Sequence, residues 1–180
     1  MALANLSGRA HILLPKLKMH HIQIFSCGGT IDKVYFDAKS DYEVGETQIQ
    51  EIFRRANVGF EHSIASLMRK DSLEMTDADR ELICGEVEKC SYSRILITHG
   101  TDTMPDTARA LSHLTGRTIV LTGSMTPSRF EASDAEFNIG CAVGALLSQP
   151  PGVYIAMNGI VFAGDKVRKN REAARFELVE

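Results

Sequence analysis

Five short apolar runs punctuate the chain, at residues 22–25, 64–68, 95–98, 118–121 and 153–157. Most are continuously apolar rather than alternating, the pattern expected of strands covered on both faces. Helical periodicity fills the intervals. Ile49, Ile52, Phe53 and Ala56 recur at spacings of three and four, which makes one apolar stripe. Thr76, with Asp79 three residues on, has the form of a capping box and opens a helix whose apolar side is Leu82, Ile83, Val87 and Cys90. Pro105 suits the first turn of a helix that runs through Ala108 and Leu111 to Leu114, with Gly116 as its stop. Ser133 or Asp134 can cap the next, through Phe137, Val143 and Leu146 to the break at "QPPG".

Strands alternating with helices at this spacing predict an α/β fold: three layers, with a mostly parallel sheet and helices on both faces, in a single domain. Ligands of such open sheets settle at the carboxyl ends of the strands. Chemistry is therefore expected in the segments that follow the five runs, which read "SCGGT", "RKDS", "THGTDT", "TGSM" and "MNG". All are rich in glycine, hydroxyls or acids.

Composition narrows the classes. The 180 residues are 44% hydrophobic and 24% charged, ordinary proportions for one folded domain. A net charge of −3 argues against a surface built for polyanions, so no nucleic acid is expected as partner; the run "KVRKNREAAR" is a local exception. No apolar run approaches a membrane span, and no membrane partner is expected. Cys27, Cys84, Cys90 and Cys141 lack metal-ligand spacing and are too few for a disulfide framework, which points to reduced thiols and a cytoplasmic location. Residues 1–18 show neither periodicity nor a signal-peptide core. They are expected to be a leader or a start assigned too early, with residues 19–180 forming the domain.

In "SCGGTID", Gly28 and Gly29 can take positive φ, bring backbone amides close to a ligand and expose the Thr30 hydroxyl. The spacing fits neither a dinucleotide fingerprint nor a P-loop, and a purely structural glycine turn is the plain alternative. In "THGTDTM", Asp102 or Thr103 can serve simply as the cap of the helix opening at Met104. His99, leaving a strand alone, reads as a hydrogen-bonded core residue rather than a general base. A threonine hydroxyl attacks a carbonyl only when something takes its proton. Lys169 is a candidate, because burial lowers a lysine's pKa toward working range. Against that, Lys166, Arg168, Lys169 and Arg171 also read as an ordinary solvated face, and Tyr42 as an aromatic anchor at a loop edge.

Taken together, these motifs resemble the bacterial-type L-asparaginase family. "CGGTID" and "THGTDTM" stand in order for its two signatures, with "AKSDYEVG", "KDSLEMT", "LTGSMTPSRFEASDAEFN" and "DKVRKN" at fitting positions, so the likeness covers residues 22–176. The resemblance implies that Thr30 is the primary nucleophile on a mobile amino-terminal loop, and that Tyr42, on the same loop, polarises its hydroxyl. It also implies that Thr101, Asp102 and Lys169 supply the second hydroxyl, acid and base, with burial keeping Lys169 partly neutral. Substrate contacts would come from Gly29 and Gly100, from Ser72 to the α-carboxylate and from Asp102 to the α-amino group. Ser124, standing where the family usually has alanine, would face the side-chain amide. Asp134 and Asn138 would be supporting structure. No metal and no organic cofactor is implied.

Hydrolysis of L-asparagine, or of L-glutamine, to the acid and ammonia through an acyl-enzyme is the implied activity. The family usually continues into a second, smaller domain that reaches a neighbouring subunit's site. This sequence resembles a short form with the N-terminal catalytic domain only, and a homo-oligomer is expected. Two other classes stay open: an amino-acid-binding module without turnover, and an ammonia-supplying subunit of a tRNA-dependent amidotransferase. Only "KVRKNR" would offer the latter a nucleic-acid surface.

Overall fold

The computed structural model describes residues 21–36 and 41–179. The leader expected over residues 1–18 lies outside the described residues. In chain order the elements are β1 (Ile22–Gly28), β2 (Lys33–Phe36), β3 (Asp41–Val44), α1 (Ile49–Ala56), β4 (His62–Lys70), α2 (Asp77–Lys89), β5 (Arg94–Thr98), α3 (Met104–Ala110), β6 (Thr118–Thr122), α4 (Ala135–Ser148), β7 (Gly152–Met157), β8 (Ile160–Ala163), β9 (Val167–Asn170) and β10 (Arg175–Leu178).

One sheet has the order β4-β1-β5-β6-β7-β8 and contains all five apolar runs. Its neighbours are parallel except β8, which returns antiparallel beside β7. Alternate residues of the central strands point to opposite faces. Phe25, Ile95, Ile97, Ile119 and Leu121 pack with Ile83 and Val87 of α2 and with Met104 and Ala108 of α3. Ile22, Ile24, Leu96 and Val120 pack with Ile52 and Phe53 of α1 and with Ile139, Ala142 and Leu146 of α4. Both faces are covered, so these strands carry no polar alternation. Each fully buried Ile or Leu contributes about 1.5–3 kcal/mol. The fold is the expected three-layer α/β arrangement.

The strand order places a switch point between β1 and β5. From β1 the chain moves out through α1 to β4, and α2 then carries it back past β1 to β5. Connections leaving β1 and β5 diverge to opposite sides, which opens a crevice at their carboxyl ends.

At α2 the capping box forms as expected. Asp79 N donates to Thr76 Oγ1 at 3.3 Å, and Thr76 N donates to the Asp79 carboxylate at 2.8 Å. Elsewhere the structure revises details. Helix α3 ends at Ala110 and gives way to a 3-10 turn, Leu111–His113, before Gly116. Leu82 and Phe137 are exposed, because a step of about 100° per residue carries them off the stripes of Ile83 and Ile139. Asp134 stands at the α4 cap position but bonds elsewhere: its carboxylate accepts from Met125 N and Thr126 N at 3.0 and 3.1 Å. Ser133 Oγ accepts the helix amide of Ala135 instead. Two hairpins, β2–β3 and β9–β10, were not indicated by apolar pattern, since their strands are short and mix charged with apolar residues.

No helix among the described residues is long and apolar enough to cross a membrane. The four cysteines are free, and no group of three His, Cys, Asp or Glu among the described residues could hold a metal ion.

Candidate active site

Three turns meet at the switch point, and small residues are what let them meet. Gly28 and Gly29 both have φ of 86°, in the left-handed region that side chains with a Cβ avoid. Gly29 N donates to Lys70 O at 2.9 Å, which joins the turn after β1 to the end of β4. A Cβ on Gly29 would collide with the Cα and N of Gly100, so the turns after β1 and β5 touch backbone to backbone. A Cβ on Gly100 would stand 2.7 Å from Ser72 Oγ, in the turn after β4. Ser72 is buried, and its Oγ accepts from Asp102 N at 3.2 Å, while Thr103 Oγ1 donates to Ser72 O at 2.8 Å. Thr103 precedes α3 without capping it by its side chain. Its hydroxyl secures the junction instead.

Into this junction reaches β9. Lys169 Nζ donates to Thr101 Oγ1 at 2.7 Å and lies 3.1 Å from Asp102 Oδ1. Thr101 is 3% exposed and the Lys169 side chain 14%. Arg171 Nε stands 3.0 Å from the same carboxylate oxygen. A chain of side-chain bonds holds the hairpin in place. Phe176 N donates to Asn158 Oδ1 at 3.2 Å, Asn158 N donates to Asn138 Oδ1 at 3.0 Å, and Asn138 Nδ2 donates to the Asp134 carboxylate at 2.8 Å. Asp134 in turn receives the amides of the loop after β6.

Thr30 opens a 3-10 turn, Thr30–Asp32, that is half-buried at its start. Asp32 is buried two residues on, accepting from Ser26 Oγ at 3.0 Å and Gln48 N at 2.9 Å. Burial pushes its carboxyl up to about 6, against the lowering effect of these donors. The turn is further tied by Ser128, whose Oγ donates to Ile31 O at 2.6 Å, and by Lys33, 2.8 Å from Asp71. Burial raises Asp71, yet Lys33, the Leu73 amide and Lys169 together hold it below its usual range.

Cys27 is fully buried, and desolvation, with Asp32 nearby, lifts its thiol to about 12, so it stays a neutral core group. His99 is also a core residue. Its Nδ1 lies 2.6 Å from Gly100 O, which can only accept, so Nδ1 carries the hydrogen and Nε2 accepts from Thr107 at 2.9 Å. Burial depresses its pKa to about 4.

Of the residues expected at the site, the structure brings Gly29, Ser72, Gly100, Thr101, Asp102 and Lys169 into one contiguous arrangement, with Thr30 adjoining Gly29. Tyr42 lies on β3, largely exposed, its ring centroid 6.3 Å from that of Phe130. The loop implied to be mobile is a 3-10 turn followed by the β2–β3 hairpin, with residues 37–40 outside the described residues. Ser124 is buried and donates its hydroxyl to Thr126 O at 2.6 Å, so its hydrogen is committed within its own loop. Arg171 was legible only as part of a charged face, and Asp32 carried no distinguishing signal at all.

The profile "Asparaginase, N-terminal" matches residues 21–177. The chain is 41% identical to the "Glutaminase-asparaginase" of Acinetobacter glutaminasificans, over 46% of this chain and 27% of that protein. It is 32% identical to a subunit of the glutamyl-tRNA(Gln) amidotransferase of Methanococcus maripaludis, over 89% of this chain and 41% of the relative. The solved thermostable L-asparaginase from Thermococcus kodakarensis superposes with a TM-score of 0.77 at 27% identity, over 88% of this chain and 51% of that one. L-asparaginase I from Vibrio cholerae does so with a TM-score of 0.74 at 29% identity and the same coverage. The chain thus spans about half the length of the solved structures and about two fifths or less of the curated relatives.

Proposed function

This chain belongs to the asparaginase family, by a match to its N-terminal domain over residues 21–177, and we propose that it hydrolyses the side-chain amide of L-asparagine to L-aspartate and ammonia. One observation carries the reading: Lys169 Nζ stands 2.7 Å from the buried Thr101 hydroxyl and 3.1 Å from Asp102, where the turns after β1 and β5 meet. A site that merely held an amino acid would need clamps for its two charges. It would not need an amine against a buried hydroxyl.

In this reading Asp102 receives the α-ammonium and Ser72 the α-carboxylate, which sets the amide against Thr30. Thr30 Oγ adds to the amide carbon with its hydroxyl polarised by Tyr42, and its proton passes to the basic group formed by Thr101 and Lys169. As an ammonium Lys169 donates to Thr101; as an amine it accepts from it, and the same contact serves both directions. The departing nitrogen takes the proton, the C–N bond breaks and ammonia leaves. Water then adds to the Thr30 ester, releasing aspartate and restoring the hydroxyl. Backbone amides of the glycine turns are the available donors for the oxyanion, and losing one such donor costs about 3 kcal/mol in comparable sites.

Ammonia release from L-asparagine and L-glutamine, run beside Thr30→Ala, tests the proposal. Turnover lost in the variant supports it, and no ammonia from either amide in the wild type overturns it. The relatives that are amidotransferase subunits favour a second reading, in which the same chemistry feeds ammonia to a partner protein. Co-purification with such a partner, accompanied by increased ammonia release, would favour that reading. We also propose a homo-oligomer; a fully active monomer in sedimentation would contradict it.

A further inference from the structure

Asp102 faces two cations through one oxygen. Lys169 Nζ lies 3.1 Å and Arg171 Nε 3.0 Å from Oδ1. Their circumstances differ. Lys169 is mostly buried and also bonded to Thr101, whereas the Arg171 side chain is 67% exposed and reaches in from the turn that joins β9 to β10. No step of the proposed reaction uses the guanidinium. Neighbouring arginines are engaged elsewhere: Arg168 leans on Glu177 and Arg109 on Asp106. The carboxylate proposed to take an α-ammonium is therefore covered by a cation that has no part in the chemistry. An incoming ammonium must displace it or crowd beside it, and like charges at such separations repel. An amide with no cationic group meets no such obstacle.

We propose that Arg171 is a specificity-determining residue whose guanidinium competes with a substrate α-ammonium for Asp102, weakening the preference for amides that carry a positive charge at that position. The inference rests on the amidohydrolase reading above. It concerns which amides are taken rather than whether amides are cleaved.

The test compares kcat/KM for L-asparagine with that for succinamic acid, which is asparagine without its α-amino group. Wild type, Arg171→Gln and Lys166→Gln are measured side by side. Arg171 is exposed, so its replacement leaves the core untouched. Arg171→Gln is expected to raise the asparagine-to-succinamate ratio about fivefold, the size of an exposed ion pair of about 1 kcal/mol converted at about 1.4 kcal/mol per tenfold. Lys166→Gln removes the same charge from an exposed position that makes no ion pair with Asp102 among the described residues, and should leave the ratio as it is. A ratio unmoved by Arg171→Gln, or moved equally by Lys166→Gln, overturns the proposal while amide hydrolysis stands. No ammonia from either substrate in the wild type overturns the amidohydrolase reading and this inference with it.

Discussion

Lys169 and Thr101 are 68 positions apart in the chain and 2.7 Å apart in space, Nζ to Oγ1. The contact depends on β9 being held against the end of β5, which the Phe176–Asn158–Asn138–Asp134 series of hydrogen bonds secures. An amine held against a buried hydroxyl can move a proton in a way that neither group manages alone.

Lys169→Met keeps the length of the side chain and removes its charge. Turnover is expected to fall about a thousandfold, within the usual range for general-base removal. Arg171 still balances Asp102, so the urea midpoint should move little. Thr101→Ala should show a similar loss in an ammonia assay. Activity near wild type in that variant would remove Thr101 from the mechanism.

Thr30→Ala is expected to abolish release of ammonia while preserving circular dichroism and binding of asparagine. Thr30 is only half-buried, and the backbone of its turn is held by Asp32 and Ser128 rather than by its own hydroxyl. Residual turnover above about one per cent of wild type would point to another nucleophile.

Gly29→Ala puts a methyl group into the backbone of Gly100 at a residue with φ of 86°. Neither neighbour can yield as a flexible side-chain end would. The expected cost is about 3 kcal/mol, at the upper end of overpacking effects, together with loss of activity as the turns after β1 and β5 separate. Denaturant titration measures it, and an unchanged midpoint would show that the turns are not in contact.

Two buried groups give opposite pH dependences. His99 has a folded pKa of about 4, below its ordinary 6.5, so its contribution is full above pH 6.5 and is lost as pH falls through 4. Asp32 sits at about 6, above its ordinary 3.8, so its contribution is full below pH 3.8 and is lost as pH rises through 6. Each amounts to about 3 kcal/mol at about 1.36 kcal/mol per unit, and between pH 4 and 6.5 they nearly cancel. Asp32→Asn removes one side of the balance. Relative to wild type, it should lose about 3 kcal/mol more between pH 6.5 and 4, measured by urea unfolding at each pH. Parallel profiles would mean that Asp32 is charged in the folded protein at pH 4.

Thr76→Ala removes the side-chain half of the capping box at α2, the acceptor for Asp79 N, while the backbone N–H of residue 76 can still donate to Asp79; it should cost about 1 kcal/mol without altering turnover. Thermal melting reads the loss. A cost near zero would mean that Lys70, 2.8 Å from Asp79, anchors the helix start on its own.

The central strands were legible because burial on two faces leaves an unbroken apolar run, which no other element of that length requires. Helix α2 was legible because its cap is a local reaction between residues three apart. Hairpins β2–β3 and β9–β10 were not, since short strands of mixed composition are set by what they pair with rather than by periodicity. Asp134 looked like a helix cap for the same local reason, but two amides of the preceding loop compete for its carboxylate and hold it.

Local pattern thus specified the five parallel strands, most helices, and the glycine and hydroxyl turns that follow those strands, because each depends on neighbours within a few residues. Which turns touch, which cation faces Asp102 and which acid is buried depend on strand order and hairpin docking. Lys169 and Arg171 stand in one charged run with Lys166 and Arg168, and Asp32 lies between Ile31 and Lys33 in a segment that does not mark it as buried. They differ in surroundings, because desolvation and charge pairing arise only when segments far apart in sequence are packed together.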